Sequence, residues 1–466
     1  MYTSGMEPSL HELAHRLFRG ELRAEELTAR CLARREARLG AYKAFDDERS
    51  LAIARAADAA FAAGISPGAL SGIPISVKDL YGVPGYPTFA GSSERLPEQF
   101  EEPGPIVEAL LSQLAVIVGK THTVEFAFGG LGTNPHWPTP HNPWSKEPRV
   151  PGGSSAGAGV SLVEGSALLA LGTDTAGSVR IPASFTGNVG LKTSFGRWST
   201  DGVVPLSRSL DTTGLLARSV GDALWAFGAL DPSWGEPEAL LHELPELSAS
   251  ELTLGVPTRF FFDDCDAGVA EAVEQALATL EAAGARLIEM DLPEAEPAYA
   301  LFREGGPVSV ELHHFLATRL PGWLDTLDPN VRARLGDAAQ LSAHEYLSRL
   351  ELLAELASQA AARFDAVDAF VTPTVAITPP TFVELEAPAG YASKNLLSLR
   401  NTGVISYLGF CALSLPCGRD AAHMPVGLQI VLPSGDDERL LAVGSALEQL
   451  LGDGRAILGE YEAPAE

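Results

Sequence analysis

Cysteine is scarce. Cys31, Cys265, Cys411 and Cys417 are the four in 466 residues, and no two form a CxxC pair, which excludes a disulfide scaffold and a cysteine-built zinc site. Reduced thiols and a cytoplasmic setting are the expectation. Basic residues are also few: 33 Lys and Arg stand against 60 Asp and Glu, a net charge of −27. No basic run is present, so capture of a phosphate backbone by bulk charge is excluded. No apolar run approaches the ~18 residues needed to span a bilayer. The opening "MYTSGMEPSLHEL" has neither the basic n-region nor the apolar h-region of a secretory signal. These absences leave a small molecule as the expected partner, with no nucleic acid and no membrane; a homodimer is compatible with them.

What the sequence does contain is 46% hydrophobic and 20% charged residues, ample material for a large core. From about Leu10 to Ala63 apolar residues recur three or four apart, as at Leu22, Leu27, Cys31 and Leu32, which predicts an N-terminal helical layer over 1–70. In "SGIPISVKDL" the alternation of Ile73, Ile75 and Val77 predicts a strand that ends at Lys78. "GPIVEALLSQLAVIVGKT" reads as a helix running into a buried strand. Helix and strand alternate again around Ala156–Asp174, Leu252–Leu292 and Phe364–Val375, the pattern of a layered α/β sheet. We expect one domain over 1–466: a core over 71–233, a Leu-, Glu- and Ala-rich helical stretch over 234–365 that shapes the substrate site, and the rest of the core over 366–466. "SGDDERLLAVGSALEQLLG" predicts a closing amphipathic helix capped through Ser434 and Asp437, with Leu440, Val443, Leu447 and Leu450 on one face.

Three short motifs do not carry chemistry. "HELAH" at His11–His15 matches the zinc-protease string HExxH, but the extension that would complete a metal site is missing and no upstream strand walls it, so a surface helix end is expected. "VGKTHT" around Lys120 lacks the first glycine of a phosphate loop, its place being held by Leu114. "GSSAG" at Gly153–Gly157 matches GxSxG, yet the polar, proline-broken "NPWSKEPRVP" precedes it where a nucleophile elbow needs an apolar strand.

The longest coherent signal is "PGGSSAGAGVSLVEGSALLALGTDTAGSVRIPASFTGNVGLKTSFGR", Pro151 to Arg197. This block resembles the glycine- and serine-rich signature of the amidase signature family. The resemblance extends to "SGIPISVKDL" and "HNPW" upstream and to "SLDTTGLLARSVGDAL", "FDAVDAFVTPT", "SLPCG" and "PVGLQIV" downstream, and it is weakest between Trp234 and Asp365. It implies a large mixed β-sheet flanked by helices on both faces and a catalytic trio at Lys78, Ser154 and Ser178, the two serines 24 residues apart. In proteins of that kind the residue at Ser178 is the nucleophile, Ser154 relays the proton, Lys78 is the base, and a cis peptide bond enters Ser154. The resemblance also places an oxyanion hole at Thr175, Ala176, Gly177 and Ser178, and substrate contacts at Phe126, Gly129, Gly130 and Leu131 in "EFAFGGLGTN". No metal and no organic cofactor is implied.

This trio is chemically coherent. A neutral amine can activate a hydroxyl as imidazole does, and a hydroxyl can relay because it both donates and accepts. Burial could bring the lysine from ~10.4 toward ~7–8, about 4 kcal/mol against the cation. Asp79 would oppose that shift, but strand alternation turns it away. Asp174 and Arg180 are expected to pair structurally, since buried charges need partners. The function expected is hydrolysis of a carboxamide through an acyl-enzyme on Ser178. The alternatives are the amidase subunit of a tRNA-dependent amidotransferase complex and a non-catalytic binding protein that keeps the fold.

Overall fold

The computed structural model describes residues 8–462. Eleven strands make one sheet: β1 Tyr42–Ala44, β2 Pro74–Lys78, β3 Val116–Thr121, β4 Leu169–Asp174, β5 Val189–Lys192, β6 Thr212–Ala217, β7 Thr253–Pro257, β8 Arg286–Met290, β9 Ala369–Pro373, β10 Cys411–Arg419 and β11 Pro425–Leu432. Their spatial order is β1-β3-β2-β4-β6-β5-β10-β11-β9-β7-β8. β2 runs parallel to both β3 and β4, and β7 parallel to β8 and β9, whereas the strands between them pair antiparallel. The sheet is therefore mixed, as expected.

Side-chain alternation divides its interior strands between two cores. Leu413, Leu415, Leu428, Ile430, Ala369 and Val371 enter one, while their neighbours Ala412, Val431 and Phe370 enter the other, as the period of two requires. The first face is covered by helices Val220–Leu230, Val269–Ala282 and Asp437–Leu451, and the second by Ala295–Arg303, Val308–Arg319 and Pro388–Tyr407. The stretch 234–365 contributes helices to both faces together with β7 and the edge strand β8. Within 1–70, helices Leu10–Phe18, Ala24–Ala33 and Asp47–Ala62 accompany the short edge strand β1.

Helix Asp437–Leu451 starts one residue after Asp436 and has no side-chain cap, which corrects the expected Ser434/Asp437 cap. Asp437 instead accepts the Ser194 amide at 2.8 Å, so a tertiary donor takes the carboxylate that a local cap would have used. Leu440, Val443 and Leu447 are buried while Leu450 is exposed. The HExxH string lies on helix Leu10–Phe18, which buries Leu10, Leu13 and Leu17 and carries the His11 and His15 rings on its exposed side, nitrogens 2.9 Å apart. Among the described residues no cluster of three metal-ligating side chains occurs.

Candidate active site

The parallel strands β2 and β4 end side by side, at Lys78 and Asp174. Clefts beyond the carboxyl ends of parallel strands are common binding sites. Lys78 is 0% exposed. Its Nζ lies 2.7 Å from Ser154 Oγ and 2.8 Å from Thr173 Oγ1. Burial brings its pKa down to about 7, while Asp174 and Asp211 act in the opposite sense. The Asp79 carboxylate turns to Lys120, 3.0 Å away and equally buried. The neighbouring acid is thus spent on a different cation.

Ser154 follows a cis peptide bond from Gly153. A side chain at position 153 would strike the Gly132 amide at 2.6 Å, so only glycine lets this loop press against its neighbour. The next residue, Ser155, is buried at the start of helix Ala156–Val163; its amide donates to the Ser178 carbonyl at 3.1 Å. That hydrogen bond ties the two serine-bearing segments together. Ser178 is 3% exposed and borders a cavity of about 940 Å³.

The turn before Ser178 is held by ionic and hydroxyl contacts. The Asp174 carboxylate accepts from the Gly177 and Val179 amides at 2.6 and 3.2 Å and from Arg180 Nε and Nη2, both at 2.9 Å. Burial alone would push this carboxyl up, but the Arg180 guanidinium overrides it and holds the pKa at about 2. Arg180 also donates to Gln429, to Ser406 and to the Thr402 carbonyl, so the expected Asp174–Arg180 pair is the hub of a fully buried network. Gly177 sits at φ +127°, where a Cβ would meet Thr402 Oγ1 at 2.1 Å. Because the Gly177 amide is spent on Asp174, the N–H groups of Thr175, Ala176 and Ser178 are the ones without a protein acceptor among the described residues. Two groups that the sequence reading missed complete the shell. Thr173 is the second partner of Lys78. Asp211 accepts from Thr175 Oγ1 at 2.6 Å, and burial raises its pKa to about 6.

Of the four loop residues expected at the substrate, Gly129 borders the cavity. Phe126 and Leu131 are buried in the core of the second face, and Gly130 packs where a Cβ would meet Ser398 and Leu399 at 2.7 Å. Ala127 and Phe128, from the same loop, line the cavity instead. The signal for them was the strained backbone, φ +46° at Phe126 and +58° at Ala127, which turns the chain over within two residues and is invisible to a side-chain pattern.

A buried lysine joined to a serine of a glycine-rich block, opening on a cavity at the end of parallel strands, is accounted for by descent. The chain belongs to the Amidase family, whose model matches residues 26–441, and it is a hydrolase of amide-type C–N bonds. Among individual proteins it is 51% identical over 460 residues to the 2-amino-5-chloromuconic acid deaminase of Comamonas testosteroni, covering 98% of this chain and 99% of that one. It is 35% identical to a glutamyl-tRNA(Gln) amidotransferase subunit of Anaeromyxobacter dehalogenans (strain 2CP-C), with 92% and 93% covered. A crystal structure of an amidase superposes with a TM-score of 0.84 at 32% identity, covering 96% of this chain and all of that one. No helix among the described residues is long and apolar enough to cross a membrane.

Proposed function

We propose that the protein hydrolyses the C–N bond of a carboxamide through an acyl-enzyme on Ser178. The observation that carries this reading is the 2.7 Å approach of Lys78 Nζ to Ser154 Oγ inside a shell dry enough to bring the pKa of the amine to about 7, so that about half of it is neutral at pH 7. A neutral amine has two N–H donors and one lone pair. Donation to Thr173 leaves the lone pair for the Ser154 hydroxyl, which in turn accepts the Ser178 proton. Ser178 Oγ then bonds to the carbonyl carbon, and the oxyanion takes the amides of Thr175, Ala176 and Ser178. Collapse breaks the C–N bond as the relay returns its proton to the leaving nitrogen, and water adds to the acyl carbon by the same path to release the acid. Side chains of this chain handle every proton, so no metal or cofactor is required. The four cysteines, none of them in a disulfide among the described residues, suit a cytoplasmic enzyme.

A second reading follows from the Comamonas relative, whose name denotes removal of ammonia from an amino-substituted unsaturated dicarboxylic acid. The carbon bearing nitrogen in such a compound, in its imine tautomer, is an electrophile like an amide carbonyl. Addition of water and loss of ammonia would leave a ketone, with the same relay moving the protons. The amidotransferase reading requires partner subunits, and the binding-protein reading requires that the site do nothing.

One experiment separates these readings: ammonia release by the isolated chain from aliphatic, aromatic, ureido and aminoacyl amides and from a 2-aminomuconate, alongside labelling by a serine-directed phosphonate. Labelling abolished by Ser178→Ala is expected, together with turnover of at least one substrate. An unlabelled wild type that releases no ammonia would refute hydrolysis at Ser178.

A further inference from the structure

The cavity onto which Ser178 opens has six charged side chains in its lining: Arg303, Glu304, Arg334, Asp337, Glu345 and Arg349. Three of them form one cluster, a cation between two carboxylates. Arg349 pairs with Glu345 at 3.0 Å and Glu304 at 3.8 Å and spends further N–H groups on the Glu304 and Gly306 carbonyls. Arg303 and Asp337 are exposed to solvent. Arg334 differs from all of these.

Arg334 stands on helix Pro329–Leu335 and is half-buried. Its Nη1 donates to the Phe128 carbonyl at 2.9 Å, and its guanidinium lies 4.1 Å from the centroid of the Phe128 ring. Burial lowers its pKa, and the phenols of Tyr391 and Tyr407 act in the opposite sense. Burial pushes both phenols up, so they stay neutral. No carboxylate among the described residues lies within ion-pair distance of this guanidinium. One of its five donors is used within the protein, and the partly desolvated charge has no counter-ion among the described residues. Such an arrangement is costly unless an anion completes it. The planar fork of arginine fits a carboxylate through two parallel hydrogen bonds, and a ring beneath it holds that fork in place. Leu206, Phe302 and Leu399 share the same cavity and offer apolar walls to a carbon chain.

We infer that Arg334 is a specificity-determining residue that binds a carboxylate on the substrate, so that the preferred substrate is anionic: a C–N compound attacked at Ser178 whose acyl portion ends in a second, free carboxyl group. This rests on the reading that Ser178 is the nucleophile of this cavity. A single unpaired cation suits a singly charged carboxylate better than a doubly charged phosphate, which would require further donors.

The test compares adipamic acid with hexanamide, two primary amides of the same chain length of which only the first carries a carboxylate. Wild type is expected to favour adipamic acid. Arg334→Met should lower kcat/KM for adipamic acid roughly 30- to 100-fold, mainly through KM, as loss of a charge-assisted hydrogen-bonded pair does. Hexanamide turnover should change less than about threefold, which also shows the variant is folded. Arg334→Lys, keeping the charge without the fork, should fall between. Equal losses on both substrates, or a wild type indifferent to the carboxylate, would overturn the inference while leaving amide hydrolysis intact. Binding is read separately: adipate should raise the wild-type melting temperature and not that of Arg334→Met. An adipate shift that survives in Arg334→Met overturns the inference. If neither amide is turned over, an adipate shift lost in Arg334→Met still supports the carboxylate site, and the failure then belongs to the choice of scissile bond.

Discussion

Two arginines border the surroundings of Ser178 and are treated in opposite ways. Arg180, in the glycine- and serine-rich block, is fully buried and joined to Asp174 by two contacts of 2.9 Å. Arg334, in the helical wall built from 295–361, points its charge at a cavity and has no acid within ion-pair distance among the described residues. The contrast follows the two regions. The block is buried almost without interruption from Val150 to Ser194, so every charge inside it must be satisfied within the chain. The wall is built of helices such as Ala343–Ala361, which buries only Leu353, Leu356 and Ala360, and its side chains can be committed to something from outside. On the proposed reading, the block holds the bond-breaking groups in one arrangement, while the wall selects what reaches them.

The sharpest way to break this division is to remove the reacting groups. Ser178→Ala and Lys78→Met should each lower kcat by about a thousandfold or more with little change in KM, as in other serine hydrolases whose nucleophile and base act as a unit. Single-turnover assays would show it, and the double variant should be hardly worse than either alone. Retained turnover in Lys78→Met at neutral pH would place the base elsewhere.

The next largest effect is on stability. Asp174→Asn leaves Arg180 buried without its counter-charge, and breaking a buried pair from one side costs about 3–5 kcal/mol. Denaturant midpoints should register that loss, whereas Arg334→Met should shift stability by less than about 1 kcal/mol, because it removes a charge that has no carboxylate partner among the described residues. Similar losses from both variants would erase the distinction between the two arginines.

Acidity gives a graded test. Lys78 titrates at about 7 in the folded chain rather than at the usual 10.5, so its basic form is lost as pH falls. kcat/KM should decline about tenfold per unit below pH 7 and level off above it. Stability carries the same signature. Between about 7 and 10.5 the unfolded chain binds a proton at this lysine that the folded chain does not, so the folded state gains about 1.4 kcal/mol per unit as pH rises through that window. Chemical denaturation of wild type relative to Lys78→Met at pH 7 and pH 9 should reveal the difference, and parallel curves would mean that Lys78 stays charged.

How far the sequence alone exposes this molecule follows the same boundary. Strand β2 and its terminal Lys78 are legible because alternation is a local signal, and Asp79 turning away from Lys78 follows from the same period, whereas its partner Lys120 does not. The 24-residue step from Ser154 to Ser178 is legible only through the resemblance of the glycine- and serine-rich block to the amidase signature; no local periodicity pairs the two serines. Phe126 and Leu131 mislead because being near the cavity in sequence says nothing about facing it; two consecutive left-handed residues send Phe126 into the core and leave Ala127 and Phe128 at the surface of the cavity. The Ser434 cap fails because Ser194, some 240 residues away, supplies a better donor to Asp437. Arg334 lies in a stretch without a recognisable pattern, and its role is defined by the absence of an acid, which only the packed structure can show.

The smallest effect tests how tightly the block constrains its base. Thr173 Oγ1 receives one N–H of Lys78 at 2.8 Å, and that donation aims the lone pair of the neutral amine at Ser154. Thr173→Val keeps the shape and removes the acceptor. The amine can then rotate, and kcat should fall about five- to tenfold, the equivalent of one hydrogen bond, with KM unchanged. Losing an acceptor also disfavours the charged amine, so the midpoint of the pH profile should move below that of wild type. A lower kcat with an unmoved midpoint would reduce Thr173 to packing. An altered KM would mean that the block, and not the wall alone, contacts the substrate beyond its scissile bond.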